Sequence, residues 1–356
     1  MKTKEVRLNI GSFDLIKGIA MILVILLHIL NNDGYDIAKL YFLRLPLKWI
    51  RLTGFIMPMF FIISGFGFRK KKPEKMLRKT VSELLIPYSV VALVIVLIYP
   101  IAFYLYQKNW NSAICEMIGY GLAYVLGIPE YGKSVFGLEI KWIAAIWYLL
   151  ALFFTFNLLN LILRIQSRII QIVSVISCVI IGYGLAIYDV NYFCIPQALL
   201  GLGYAYIGYL MREYHMLEHN LYSAWVYLIL FPVVAIFTRC GKFNMAPGEI
   251  GSLLDYAGAG CAAVLVIFLG VCLDRFAWKP LEYIKQVGIY NYWILCIHSV
   301  EIGLPQWSLF ANRFPNHQQG AFLLAVMLKT ILISSMCVVL KGLYKYRYRR
   351  RVKKYG

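Results

Sequence analysis

The sequence predicts an all-α integral membrane protein, a bundle of about ten transmembrane helices with both termini in the cytoplasm. Three observations lead to this fold class. Hydrophobic residues make up 61% of the 356-residue chain and charged residues only 15%, a balance too apolar for a soluble domain. The apolar residues fall in runs of roughly 20, the length that crosses about 30 Å of hydrocarbon. The basic residues concentrate in alternate connecting segments.

Ten apolar runs have the length of a membrane span. They lie near 12–31, 46–68, 82–106, 141–163, 169–188, 194–211, 221–239, 251–273, 285–303 and 321–343. An even number of crossings puts both termini on one side. The run RKKKPEKMLRK at 69–79 and the basic tail 344–356 fall on that side, and such a Lys/Arg bias marks the cytoplasm. We therefore expect one domain over residues 1–356, embedded in the cytoplasmic membrane.

The net charge of +19 is compatible with two classes of anionic binding partner, lipid headgroups and nucleic acid. A polybasic segment beside a membrane attracts anionic lipid headgroups, whereas nucleic acid would require a binding fold that the sequence does not contain. We expect lipid headgroups and no nucleic acid. The eight cysteines show neither CxxC spacing nor a Cys/His cluster, so we expect no metal site and no disulfide framework.

The first apolar run, FDLIKGIAMILVILLHI at 13–29, contains Asp14, Lys17 and His28. Ionisable side chains within a membrane span are costly and usually mark a functional site. Eleven residues separate Lys17 from His28, and eleven steps of 100° return to nearly the same direction, so both project from one helix face about 16 Å apart. Asp14 precedes Lys17 by three residues and can pair with it.

This spacing suits a long donor with a phosphate end and a reactive end. An acyl-CoA, as co-substrate, would place its phosphates near Lys17 and its thioester near His28. His28 would act as general base on an acceptor hydroxyl, and Asp14 would orient Lys17. Basic residues of the inner loop could share the phosphates, or could serve only as the positive-inside signal: Arg69, Lys70, Lys71 and Arg78.

Five further residues are secondary candidates, each with a structural alternative. Ser64 could act as a nucleophile, or it could be one of the small residues that let membrane helices pack closely. His298 could orient the acceptor, act as a second acid or base, or simply form a hydrogen bond in the core. Glu301 and Lys329 fall at similar depth on consecutive spans and could form a buried ion pair. Trp147 and Tyr148 fit packing or an interfacial belt better than catalysis.

Several segments together resemble one family, the membrane acyltransferase-3 family. They are DLIKGIAMILVILLH (14–28), MFFIISGFGF (59–68), IPYSV (86–90), AIWYLLALFF (145–154) and IYNYWILCIHSVEI (289–302). Asp14 and His28 match the family's first-helix signature, while Lys17 stands where that signature has Arg. Lys keeps the charge of Arg but lacks its planar fork.

The resemblance implies transfer of an acyl group, commonly acetyl, from cytosolic acyl-CoA to a hydroxyl of an envelope glycan or its lipid-linked precursor. It also implies a short form without an appended extracytoplasmic esterase-like domain. Succinyl-CoA is the alternative donor. The alternative function is a proton-coupled transporter or flippase of an envelope precursor, since intramembrane His, Asp and Glu residues also suit proton relays.

Overall fold

The computed structural model describes residues 11–32, 35, 54–130, 133–135, 137–217, 229–230, 232–234, 243–276, 278–302 and 317–355. This part of the chain contains twelve α-helices, which confirms the all-α class. They are α1 (Gly11–Asn32), α2 (Ile56–Gly67), α3 (Pro73–Thr80), α4 (Ile86–Gln107), α5 (Trp110–Leu126), α6 (Trp147–Ile162), α7 (Arg168–Ile187), α8 (Ile195–Glu213), α9 (Leu253–Asp274), α10 (Lys279–Ile289), α11 (Asn291–Glu301) and α12 (Gln318–Tyr355).

Shorter elements join or extend these helices. A π-helical turn, Val81–Leu85, links α3 to α4, and a 3₁₀ turn, Ala144–Ile146, precedes α6. Two small antiparallel hairpins complete the described elements: β1 (Lys133–Val135) with β2 (Leu138–Ile140), and β3 (Phe243–Asn244) with β4 (Glu249–Ile250).

Six helical stretches in the described part are long and apolar enough to cross a membrane. They are Gly11–Leu30, Pro73–Gln107, Ala144–Ile162, Arg168–Ile187, Leu253–Asp274 and Gln318–Cys337. Each overlaps one of the ten predicted runs, so the structure supports a multi-pass membrane protein. The full number of ten, and the side on which the termini lie, remain predictions.

The other four predicted runs are not among these six stretches. The run 194–211 forms α8, whose glycines, tyrosines and Gln197 make it less apolar than the six, and most of its residues are buried among other helices. Of the run 46–68, residues 56–67 form the short apolar helix α2, and 46–53 lie outside the described residues. Most of the run 221–239 lies outside them, and only residues 229–230 and 232–234 of it are described.

The predicted span 285–303 contains two helices in the structure, not one. The helix breaks at Tyr290, whose φ of −96° and ψ of 7° leave the α-helical region. Two helices of 11 residues, α10 and α11, replace the single span. Gly288, a weak helix former, lies two residues before the break. The break lets α10 follow α1 while α11 takes its own path toward the centre of the bundle.

Several basic residues gather at one end of the bundle, where α1 begins and α2 and α6 end. Phe13 of α1 contacts Phe66 near the end of α2, with ring centroids 4.8 Å apart. Arg212 at the end of α8 donates to the carbonyl oxygens of Phe66 and Phe68. Lys70 donates to the carbonyl oxygen of Leu163, the residue that follows α6. This end corresponds to the side on which the sequence places the cytoplasm.

Candidate active site

A cavity of about 180 Å³ lies between α1, α2, α6 and α11. Its wall is mostly apolar, with a few polar or aromatic groups: Lys17, His28, Ser64, Trp147, Tyr148, Asn291 and Tyr292. A mostly apolar pocket with a few convergent polar groups is the usual form of a small-molecule site. Its position, between the helices that carry the family-like segments, makes it the candidate active site.

Helix α1 contributes both Lys17 and His28 to this cavity. The shared helix face predicted from their spacing is therefore confirmed. The Lys17 ammonium lies 2.6 Å from a carboxylate oxygen of Asp14, and both side chains are partly buried. The expected i,i+3 pair is thus present, and it holds the ammonium near the start of α1, eleven residues or about 16 Å along the helix from His28.

Two glycines fix α1 against α10. A Cβ on Gly18 would overlap the carbonyl oxygen of Ile284, and a Cβ on Gly288 would overlap the carbonyl oxygen of Asp14. Small residues let helix backbones approach closely, which is a common way of packing helices in membranes. This contact sets the position of the first turns of α1, and with them the Asp14–Lys17 pair.

The substitution Gly288→Ala is expected to destabilise the protein by about 1–3 kcal/mol, the usual cost of overpacking, and to raise the KM for the donor. Thermal unfolding in detergent and donor kinetics would measure both. Gly184→Ala is the matched control, because a Cβ at Gly184 meets open space and alanine favours a helix over glycine. Equal melting temperatures for the two variants would contradict the close packing of α1 on α10.

His28 lies between the cavity and two buried aromatic side chains. Its ring centroid is 5.3 Å from that of His298 and 6.4 Å from that of Trp142. Trp142 follows strand β2 and precedes Ala144, whose φ of 50° is unusual for a residue other than glycine. Sequence reasoning missed Trp142, since only the return of the 141–147 segment into the bundle brings it beside α1.

His298, Glu301 and Lys329 form a connected buried group. The Nδ1 atom of His298 lies 3.0 Å from Oε2 of Glu301, and the Lys329 ammonium lies 2.8 Å from Oε1 of the same carboxylate. The three side chains have exposed fractions of 0%, 3% and 0%. The predicted Glu301–Lys329 pair is therefore confirmed, and the structure adds His298 to it.

Ser64 and Tyr148 face each other across the cavity wall. Their hydroxyl oxygens are 3.0 Å apart, so one hydroxyl donates to the other. The pair contains two O–H groups and uses one of them internally, which leaves one donor free to bind a group in the cavity. Trp147, next in the chain, also lines the cavity. Tyr148 and Trp147 thus both face the cavity.

Asn291 and Tyr292 also line the cavity, and sequence reasoning did not single them out. Both follow the helix break at Tyr290, which directs the start of α11 toward α1. The Tyr292 hydroxyl donates to the carbonyl oxygen of Glu83 in the π-helical turn, at 2.9 Å. A π-helical turn often marks a functional position in a helix, and this signal cannot be read from the sequence.

The basic loop residues proposed to bind the donor do not line the cavity. Lys70 donates to the carbonyl oxygen of Leu163 at 3.0 Å, and Arg69 donates to the carbonyl oxygen of Phe68. Lys71 and Arg78 are exposed. The segment continues through α3 into the π-helical turn, and of that turn Leu84 lines the cavity.

Comparison with protein-family models gives a match to the family model described as "Acyltransferase domain" of the acyltransferase 3 type, over residues 10–347. The chain belongs to the acyltransferase 3 family. The match covers nearly the whole chain, as the resemblance of its separate segments predicted. Comparisons with curated proteins and with solved structures find no match. This family member is therefore a multi-pass membrane acyltransferase, and its donor and acceptor have to be inferred from the site.

Proposed function

We propose that this acyltransferase moves an acetyl group from cytosolic acetyl-CoA to a hydroxyl group of a cell-envelope glycan or lipid-linked sugar, in the cytoplasmic membrane. The observation that carries the proposal is the single cavity that holds Lys17 and His28 on one face of α1. A cation at one end and an imidazole at the other match the two ends of a long phosphorylated thioester.

The size of the cavity supports a narrow ligand. Its volume of about 180 Å³ is below the roughly 300–1,000 Å³ of pockets that enclose a whole drug-sized molecule. It suits the thin pantetheine arm and the acetyl thioester, with the nucleotide outside. Lys17 would then bind phosphate oxygens at the mouth, and Lys71 and Arg78 would add positive charge around the nucleotide.

The proposed transfer is direct. The acceptor hydroxyl gives its proton to a ring nitrogen of His28 as its oxygen forms a bond to the thioester carbonyl carbon. The free hydroxyl hydrogen of the Ser64–Tyr148 pair stabilises the negative charge on the carbonyl oxygen. The carbon–sulfur bond then breaks, and the CoA sulfur takes the proton from His28. Asp14 takes no part in the chemistry and orients Lys17.

The cavity favours acetyl over succinyl. Among the cavity-lining residues in the described part of the chain, Lys17 is the only permanently basic one, and it is already paired with Asp14 at the end opposite His28. A succinyl group would carry its carboxylate into the apolar region near His28, where an unpaired charge is costly. The neutral acetyl group carries no such cost.

The transporter alternative receives less support. The chain belongs to an acyltransferase family, and Glu301 is bound to His298 and Lys329 instead of lining the cavity. A proton relay would need its groups open to a water path at successive depths.

The test uses inverted membrane vesicles that contain the protein, supplied with CoA thioesters labelled in the acyl group. Alkali-labile label in lipid-linked or polymeric glycan is the readout, because oxygen esters hydrolyse in alkali. We expect label from acetyl-CoA at least tenfold above label from succinyl-CoA, and none in vesicles that lack the protein. Equal label with and without the protein would contradict the proposed function, and a preference for succinyl-CoA would contradict the assigned donor.

A further inference from the structure

The geometry points to His298, Glu301 and Lys329 as a positioning group that fixes the ring tautomer of His28. The inference rests on the proposed function, since it assigns His28 as the base of that reaction. His298 lies beside His28 but does not line the cavity. It can therefore act on the reaction only through His28.

The Glu301 carboxylate decides which nitrogen of His298 carries hydrogen. A carboxylate can only accept hydrogen bonds, and it lies 3.0 Å from Nδ1 of His298. Nδ1 must therefore carry the hydrogen, and in a neutral ring Nε2 is then an acceptor. The Lys329 ammonium on the other carboxylate oxygen balances the charge of Glu301 within the buried group. The pair thus sets one tautomer without leaving a net charge in the membrane.

The acceptor Nε2 is buried and has no hydrogen-bond partner among the described residues. A buried polar atom without a partner is costly, and the nearest ring to His298 among the recorded ring contacts is His28, at 5.3 Å between centroids. A small rotation of the His28 ring would let its N–H donate to Nε2 of His298. The other nitrogen of His28 would then be unprotonated and free to take a proton in the cavity.

This arrangement parallels the known use of a buried carboxylate to orient a catalytic histidine, with an imidazole inserted between the two. The orientation matters because a general base works only when its lone pair faces the proton that it removes. Glu301, His298 and Lys329 are therefore positioning residues. They should affect the chemical step and leave donor binding nearly unchanged.

The matched variants are His298→Gln and His298→Leu, measured in the vesicles with labelled acetyl-CoA at several concentrations. Gln can present an amide oxygen near the former Nε2 atom, whereas Leu offers no acceptor. We expect His298→Leu to lower kcat at least about 100-fold with the apparent KM for acetyl-CoA within twofold, and His298→Gln to retain at least ten times more activity. If His298 had only a structural role, His298→Leu would retain as much activity as His298→Gln, or more.

A second variant keeps the inference testable if both His298 variants fail to fold. The double variant Glu301→Gln with Lys329→Met removes both charges together, which a buried pair often tolerates. The Gln amide can donate to Nδ1 of His298 and so reverse its tautomer, and we expect the same loss of kcat. A kcat within threefold of the native value, in this double variant or in His298→Leu, would overturn the inference. Equal losses of kcat in His298→Leu and His298→Gln would overturn it as well. Absence of label with the native chain would instead refute the proposed function.

Discussion

Replacing His28 with asparagine should slow acetyl transfer by about 10²–10⁴-fold, the usual contribution of a general base. Asparagine keeps a polar side chain of similar reach but cannot accept a proton. Because the binding groups for the donor lie elsewhere in the cavity, the apparent KM for acetyl-CoA should change little. Steady-state transfer in vesicles at varied acetyl-CoA separates the two parameters.

The control for this variant is His215→Asn. His215 is exposed near the end of α8 and has a φ of 52°, a conformation that asparagine tolerates. Transfer by the control should equal that of the native chain. If His28→Asn also transferred acetyl at the native rate, His28 would be removed from the chemistry, and the cavity would need another base.

Replacing Lys17 with methionine should weaken donor binding about 10- to 100-fold. The estimate follows from a charge-assisted hydrogen bond to phosphate, worth about 1.5–3 kcal/mol. Methionine has an unbranched side chain only one atom shorter than that of lysine and carries no charge, so the change should appear in the KM for acetyl-CoA with kcat nearly intact. Lys17→Arg should bind at least as tightly as the native chain, because the guanidinium binds phosphate through two parallel hydrogen bonds.

Two controls separate the phosphate contact from other effects. Lys108→Met removes an exposed lysine that follows α4 and does not line the cavity, and it should leave the KM unchanged. Asp14→Asn combined with Lys17→Met removes the unpaired carboxylate that the single variant leaves behind. A native KM in the double variant would show that Lys17 does not bind the donor.

The local part of the site could be predicted from the sequence. The shared face of Lys17 and His28 follows from the helix repeat alone, and the bounds predicted for α1, 12–31, agree closely with Gly11–Asn32. The Asp14–Lys17 pair is also local. The Glu301–Lys329 pair joins two helices, yet it could be predicted because a buried charge in a membrane requires a partner at its own depth.

The rest depends on contacts between distant segments. The break at Tyr290 divides a run that hydropathy favours as one span into two helices, and no proline marks it. The hydrogen bond between Ser64 and Tyr148 joins residues 84 positions apart. In the sequence they are only a small residue in one segment and an aromatic residue in another, and nothing indicates that they meet. The position of Trp142 beside His28 requires the 141–147 segment to turn inward at Ala144. Such features follow from packing in three dimensions, which a period of 3.6 residues does not encode.

The most direct test of the central claim is covalent labelling with bromoacetyl-CoA, whose reactive carbon occupies the place of the acetyl group. The protein in membranes would be treated with the reagent and the modified residue located by mass spectrometry. We predict alkylation of His28, prevention by excess acetyl-CoA, and much slower labelling of Lys17→Met. Alkylation only at residues outside the cavity, or equal labelling with and without acetyl-CoA, would contradict a single site that holds the donor between Lys17 and His28.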